Sequence, residues 1–247
     1  MLGIPDLTRA CLFDLDGVLT QTATVHAAAW REMFDGYLRQ RSAQTGEPFV
    51  PFDPVNDYDR YVDGRTRDDG ARAFLASRDI TLPEGSDSDP PGTPTVYGLA
   101  SQKNALVQAR IAAGGVAAYP GSVRYLRAVR EARLASAVVS ASANARAVLT
   151  SAGLIGMVNV IVDGVVAREQ HLAGKPAPDS YLAAARELRQ QPGSCAVFED
   201  ALAGVAAGRA GRFGCVVGVD RAGQAADLRS NGADVVVTDL AELLDRA

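Results

Sequence analysis

Between Pro120 and Val237 the sequence alternates short apolar runs with helix-like segments, and this alternation restricts the fold more than any other feature of the chain. The runs are Ala135–Val139, Asn159–Val162, Cys195–Phe198, Cys215–Val219 and Ala233–Val237; between them lie segments 123–132, 145–152, 180–188, 202–210 and 225–230. Short apolar runs without polar alternation read as strands buried on both faces, and strands separated by helices imply a parallel sheet covered on both sides. One more run, Ala10–Phe13, comes from the far end of the chain. Residues from about 23 to 118 break the pattern, because 26–40, 65–77 and 97–113 all have helical spacing. The expected architecture is α/β, with a doubly wound parallel-sheet core from residues 1–22 and 119–247 and a helical domain of residues 23–118 inserted after the first strand. Two stretches rich in Pro and polar residues, 42–59 and 82–95, read as irregular connections.

The 247 residues, 47% hydrophobic and 22% charged, suffice for a large core. A formal charge of −4 argues against a nucleic-acid partner, which usually meets a basic face. The opening residues lack the charged and apolar regions of a signal peptide, and no apolar run approaches the ~18 residues of a membrane span, so the cytosol is the expected location. Cys11, Cys195 and Cys215 each lie in or beside an apolar run and read as small buried hydrophobes.

In open α/β sheets ligands bind beyond the carboxyl ends of the strands. Asp14, Asp16 and Gly17 follow the first run; Ser140, Ala141 and Ser142 follow Ala135–Val139; Glu199 and Asp200 close the Cys195–Phe198 run. Lys175, in "GKPAPD", lies in the same half. Two acids one residue apart at a strand end repel each other unless a cation or a reacting group sits between them. Carboxylates at Asp14, Asp16 and Asp200, with Glu199 beside them, suit a hard cation such as Mg²⁺. Ser140 and Lys175 are donors suited to holding a phosphoryl group against that metal. Helix capping would explain one acid per helix but not the Asp14/Asp16 and Glu199/Asp200 pairs.

"DLDGVLT", the "SAS" segment, "GKPAPD" and "FEDALAG" resemble, in order and spacing, the four motifs of the haloacid dehalogenase (HAD) superfamily. The resemblance implies a HAD Rossmann-like core. It implies that Asp14 is a nucleophile, that Asp16 is the general acid/base, and that Asp14, the main-chain carbonyl of Asp16 and Asp200 hold Mg²⁺ with help from Glu199. Ser140 and Lys175 would bind the transferring phosphoryl group. The insertion directly after the first motif is similar to the cap of the β-phosphoglucomutase branch and related phosphatases. "DLDGVLTQTATVHAAAW" resembles the stretch of that branch in which Thr22 lies at the hinge, His26 near the acid/base and Trp30 four residues further on. Trp30 fits cap core and substrate contact equally well. "DGRTRDDG" resembles the Gly-x-x-Arg segment whose arginine, here Arg67, grips the phosphate that is not transferred; the alternative is a solvated helix arginine. "SQKN" aligns Lys103 with a cap lysine that contacts substrate, against the alternative of a surface lysine. After "SAS" the branch carries a basic residue and this chain has Ala143, which leaves Ser142 and Asn144 for the distal phosphate.

This resemblance implies a phosphomutase that interconverts β-D-glucose 1-phosphate and glucose 6-phosphate through an aspartyl phosphate. Mg²⁺ would be the cofactor, and glucose 1,6-bisphosphate the intermediate that also primes the enzyme. The small-molecule partner would be a sugar phosphate, and the protein a monomer or weak dimer. A HAD phosphatase acting on a small phosphorylated metabolite has the same core and remains the alternative.

Overall fold

The computed structural model describes residues 2–245. The chain divides into two compact units, Met1–Thr22 with Val116–Ala247, and Ala23–Gly115. In chain order the elements are β1 (Ala10–Phe13), α1 (Ala23–Thr45), α2 (Arg67–Ser77), α3 (Val96–Gly114), α4 (Pro120–Glu131), β2 (Ala135–Val139), α5 (Ala145–Ser151), β3 (Val160–Val162), α6 (Gly164–Glu169), α7 (Asp179–Glu187), β4 (Cys195–Glu199), α8 (Leu202–Ala210), β5 (Cys215–Val219), α9 (Ala225–Ser230), β6 (Val235–Val237) and α10 (Ala241–Asp245).

The larger unit is a six-stranded sheet in the order β3-β2-β1-β4-β5-β6, every pair parallel. All residues of β1, β4 and β5 are buried, as central strands between two helical layers are, including the Glu199 that ends β4. The core on one face gathers Leu12, Val139, Tyr181, Val197 and Phe213. On the other, the rings of Phe13 and Phe198 stack at 4.5 Å with Tyr125 edge-on to Phe13. β1 is the central strand at which the chain first winds one way, to β2 and β3, and then the other, from β4 to β6. The crevice at the carboxyl ends of β1 and β4 is therefore the topological switch point of this sheet.

Two strands are shorter than their apolar runs. β3 starts at Val160 because the Asn159 side chain turns to accept the Ser136 N–H at 2.8 Å. β6 starts at Val235 because the Ala233 N–H closes the end of α9 on the Leu228 carbonyl and the Asp234 carboxylate takes the Val216 N–H. α4 begins at Pro120, three residues before the expected segment, with the proline's fixed φ at its first position. The short α6 was outside the expected pattern; the Asp163 carboxylate starts it by accepting the N–H groups of Val165 and Val166.

The second unit is helical. α1, α2 and α3 close around Trp30, Met33, Phe34, Phe52, Phe74 and Leu99, joined by a single π-helical stretch, Tyr58–Val62, between α1 and α2. Residues 82–95 contain no helix or strand, and residues 46–55 are irregular, whereas Asn56 and Asp57 already turn helically into the π-helical stretch. No helix among the described residues is long and apolar enough to cross a membrane. Cys11, Cys195 and Cys215 are buried and free.

Candidate active site

The core-unit residues converge at the carboxyl end of the sheet. Asp14 is the first residue past β1, and its N–H still donates to the Phe198 carbonyl at 2.9 Å, so the sheet ladder fixes its backbone. The residue is 6% exposed, and its carboxylate accepts from Lys175 Nζ at 2.6 Å. The same ammonium donates to Glu199 Oε1 at 2.5 Å and to the Val139 carbonyl at 3.3 Å, which uses all three of its protons. Glu199 is fully buried; Tyr181 Oη donates to Oε1 at 2.9 Å and the Ala201 N–H to Oε2 at 3.0 Å. Gly204 lets this carboxylate in, because a Cβ on Gly204 would collide with Glu199 Oε1.

The charges in this pocket do not balance. One buried ammonium faces two buried carboxylates, Asp14 and Glu199, with Asp16 and Asp200 close by. Burial pushes the Asp14 carboxyl well above the ordinary carboxylate range; Lys175 pulls it down, and Glu199 and Asp16 push it up again. Burial works against the charge on Lys175, but Asp14 and Glu199 outweigh it and raise its pKa, so the ammonium keeps its proton. A site with surplus negative charge and only oxygen donors favours a hard cation. Asp14, Glu199 and Asp200 each offer a carboxylate oxygen, all within 4.8 Å of one another. These residues fit Mg²⁺.

Asp16 points elsewhere. Its carboxylate accepts from Thr22 Oγ1, and Ser140 Oγ approaches its other oxygen at 3.5 Å. Thr20 Oγ1 lies 2.8 Å from Thr22 Oγ1 and donates to the Leu15 carbonyl. Ser140 is the first residue past β2, its N–H still donating to the Val162 carbonyl, and its hydroxyl accepts the Ser142 N–H at 3.1 Å. Ser142 Oγ in turn accepts the Asn144 N–H at 3.2 Å, so the segment from Ser140 through Ala141 to Asn144 is one continuous turn into α5. The structure thus brings Asp14, Asp16, Thr22, Ser140, Lys175, Glu199 and Asp200 into one cluster.

Within the helical unit, Lys103 Nζ lies 3.0 Å from His26 Nδ1 and 4.7 Å from the centre of the Trp30 ring, and all three side chains are buried. Lys103 is thus a buried partner of His26 rather than a solvated surface lysine. Trp30 belongs to the aromatic core, stacked on Phe34 at 5.2 Å. Arg67 opens α2 one residue after the Thr66 cap and lies 3.5 Å from Asp68.

Sequence reasoning missed Thr20, Tyr181 and the reason for Gly204. Gly204 had a visible signal, the glycine of "FEDALAG". Tyr181 had none, since its contact with Glu199 depends on how α7 packs beneath the site.

The sequence profile of haloacid dehalogenase-like hydrolases matches residues 8–212. A Mycobacterium tuberculosis protein named β-phosphoglucomutase is 58% identical over 247 residues, covering 99% of this chain and 94% of its own. A Bacillus subtilis protein of the same name is 30% identical, covering 95% and 91%. The crystal structure of a Clostridium difficile β-phosphoglucomutase superposes with a TM-score of 0.73 at 25% identity, covering 96% of this chain and 93% of that one.

Proposed function

The chain belongs to the haloacid dehalogenase-like hydrolase family, and on that premise we propose that it is a phosphomutase interconverting β-D-glucose 1-phosphate and glucose 6-phosphate. The observation that carries this reading is the 58% identity, along almost the whole of both chains, to a protein named β-phosphoglucomutase. The cluster around Asp14 supplies chemistry that suits it.

Asp14, phosphorylated at rest, gives its phosphoryl group to the 6-hydroxyl of β-glucose 1-phosphate. The bond from Asp14 to phosphorus breaks, the bond from sugar oxygen to phosphorus forms, and Asp16 takes the hydroxyl proton. The resulting glucose 1,6-bisphosphate turns round; its 1-phosphoryl group passes back to Asp14, Asp16 returns the proton to the sugar oxygen, and glucose 6-phosphate leaves. The same bisphosphate primes the resting enzyme. Ser140 and Lys175 hold the moving phosphoryl group, and an incoming phosphate oxygen takes over one of the three contacts that Lys175 now makes. Asp14, the Asp16 carbonyl and Asp200, with Glu199 assisting, would hold Mg²⁺, which would supply the positive charge that offsets the phosphate as the Asp14 carboxylate approaches phosphorus. Thr22 orients the Asp16 carboxylate between the two half-reactions. Arg67, Ser142, Asn144, Ala141, Lys103 and His26 serve the rest of the sugar phosphate. Such an enzyme works in the cytosol, where its sugar phosphates are found.

The test mixes protein and Mg²⁺ with β-glucose 1-phosphate and a trace of glucose 1,6-bisphosphate, followed by ³¹P NMR. Glucose 6-phosphate with little free phosphate, lost in Asp14→Asn, is the expected result. Free phosphate as the main product would overturn the mutase reading in favour of a phosphatase.

A further inference from the structure

The reaction leaves unused a turn that touches both halves of the metal cluster. Past β5, Asp220 Oδ1 accepts the N–H groups of Gly223 at 2.7 Å and Gln224 at 2.8 Å, and the Asp220 N–H donates to the Val237 carbonyl at 2.7 Å. From this tied turn Arg221 Nε donates to the Gly17 carbonyl at 2.9 Å, and Nη1 to the Thr238 carbonyl at 2.6 Å. The guanidinium lies over the Tyr119 ring, 3.7 Å from its centre. Three residues on, Gln224 Nε2 donates to the Asp200 carbonyl at 3.0 Å.

The third side of this arrangement is direct contact. Gly17 has φ +88°, and its Cα packs so closely on the Asp200 carboxylate that any Cβ would collide with it. Gly17, Asp200 and the 221–224 turn therefore close a ring: Gly17 against Asp200, Asp200 bonded to Gln224, and Arg221 bonded to Gly17.

This ring answers a mechanical problem. The ladder fixes the Asp14 backbone, but the Asp16 carbonyl, Gly17 and Asp200 all lie past the last paired residues of β1 and β4. Mg²⁺ tolerates little error, with ligands at ~2.0–2.1 Å in near-octahedral geometry. A loop free to drift by ~0.5 Å would lose the arrangement a built site needs. We propose that Arg221 and Gln224 are positioning residues of the metal centre, setting the spacing between the Asp14–Gly17 loop and Asp200. The inference rests on the metal reading of the cluster. Arginine suits the place because its planar fork donates to Gly17 and Thr238 together while its face stacks on Tyr119; a lysine keeps the charge and loses the fork.

The test is Mg²⁺ binding by isothermal titration calorimetry, with the metal alone as probe, on the full chain and on Arg221→Gln, Arg221→Lys, Gln224→Leu and Asp200→Asn. Supporting groups one step removed from a metal typically change its affinity about 10- to 100-fold. Each Arg221 variant and Gln224→Leu should weaken Mg²⁺ at least about 10-fold, while kcat recovers to within about 3-fold of the parent at saturating Mg²⁺. If Arg221→Gln does not fold, Arg221→Lys and Gln224→Leu carry the test. Unchanged Mg²⁺ affinity in folded variants, with Asp200→Asn binding lost, would sink this inference alone, even if the variants melt earlier. No saturable Mg²⁺ binding by the parent would sink the metal reading and this inference with it.

Discussion

Lys175 is the residue on which the buried cluster depends. Removing its ammonium leaves Asp14 and Glu199 facing each other without a counter-charge, and loss of one partner from a buried ion pair costs ~3–5 kcal/mol. Urea unfolding without metal should show Lys175→Met destabilised by that order, with part of the loss restored by Mg²⁺. Gly204→Ala attacks the same point by volume; its Cβ would displace the Glu199 carboxylate, and a loss of ~1–3 kcal/mol is expected in the same experiment. The raised pKa of Asp14 has its own signature. Asp14 keeps its proton to higher pH in the folded protein than in the unfolded chain, so this group contributes stability below the ordinary carboxylate pKa, and that contribution is lost as pH rises through the folded value. Mg²⁺ competes with that proton. The rise in Tm produced by Mg²⁺ should therefore grow as the pH is raised, and that growth should be smaller in Asp14→Asn.

At the scale of elements, α2 offers a clean test. Thr66 Oγ1 accepts the Asp69 N–H at 3.2 Å and donates to the Asp69 carboxylate at 2.7 Å, a capping pair that starts the helix carrying Arg67 in its first turn. Thr66→Ala should cost ~1 kcal/mol in urea unfolding and raise KM for the sugar phosphate more than it lowers kcat. Elements were also where the sequence was most legible. β1, β2, β5, α8 and α9 occupy the residues their patterns indicated, because an apolar run bounded by polar or glycine residues needs no distant partner to be recognised. The ends of β3 and β6 were not legible, since Asn159 and Asp234 bond to residues 23 and 18 positions away. The site divides the same way. Asp14, Asp16, Ser140, Glu199 and Asp200 stand at strand ends and were readable from the runs before them. The contacts from Tyr181 to Glu199 and from Arg221 to Gly17 join residues with no periodic relation, so only the folded chain displays them.

At the scale of the whole molecule, Trp30 is the chain's single tryptophan and sits in the helical unit's core, against Phe34. Its fluorescence reports on that unit, whereas far-UV circular dichroism reports on both. Phe34→Ala removes a ring that also packs on Phe52 and Phe74, at a cost of ~3–5 kcal/mol. In that variant the fluorescence transition in urea should precede the circular dichroism transition; coincident midpoints would show that the two units unfold as one. The sheet unit, in turn, is interrupted at a point that is already closed. Thr20 pairs antiparallel with Ala118, the Gln21 N–H donates to the Ala117 carbonyl at 2.8 Å, and the Tyr119 N–H to Leu19 at 3.0 Å. A chain that leaves and returns side by side pays little closure entropy for what it carries in between. The insertion is therefore an exchangeable attachment: a few turn residues in its place would leave a hairpin, and helical units of other lengths could be spliced at the same two residues without disturbing the sheet.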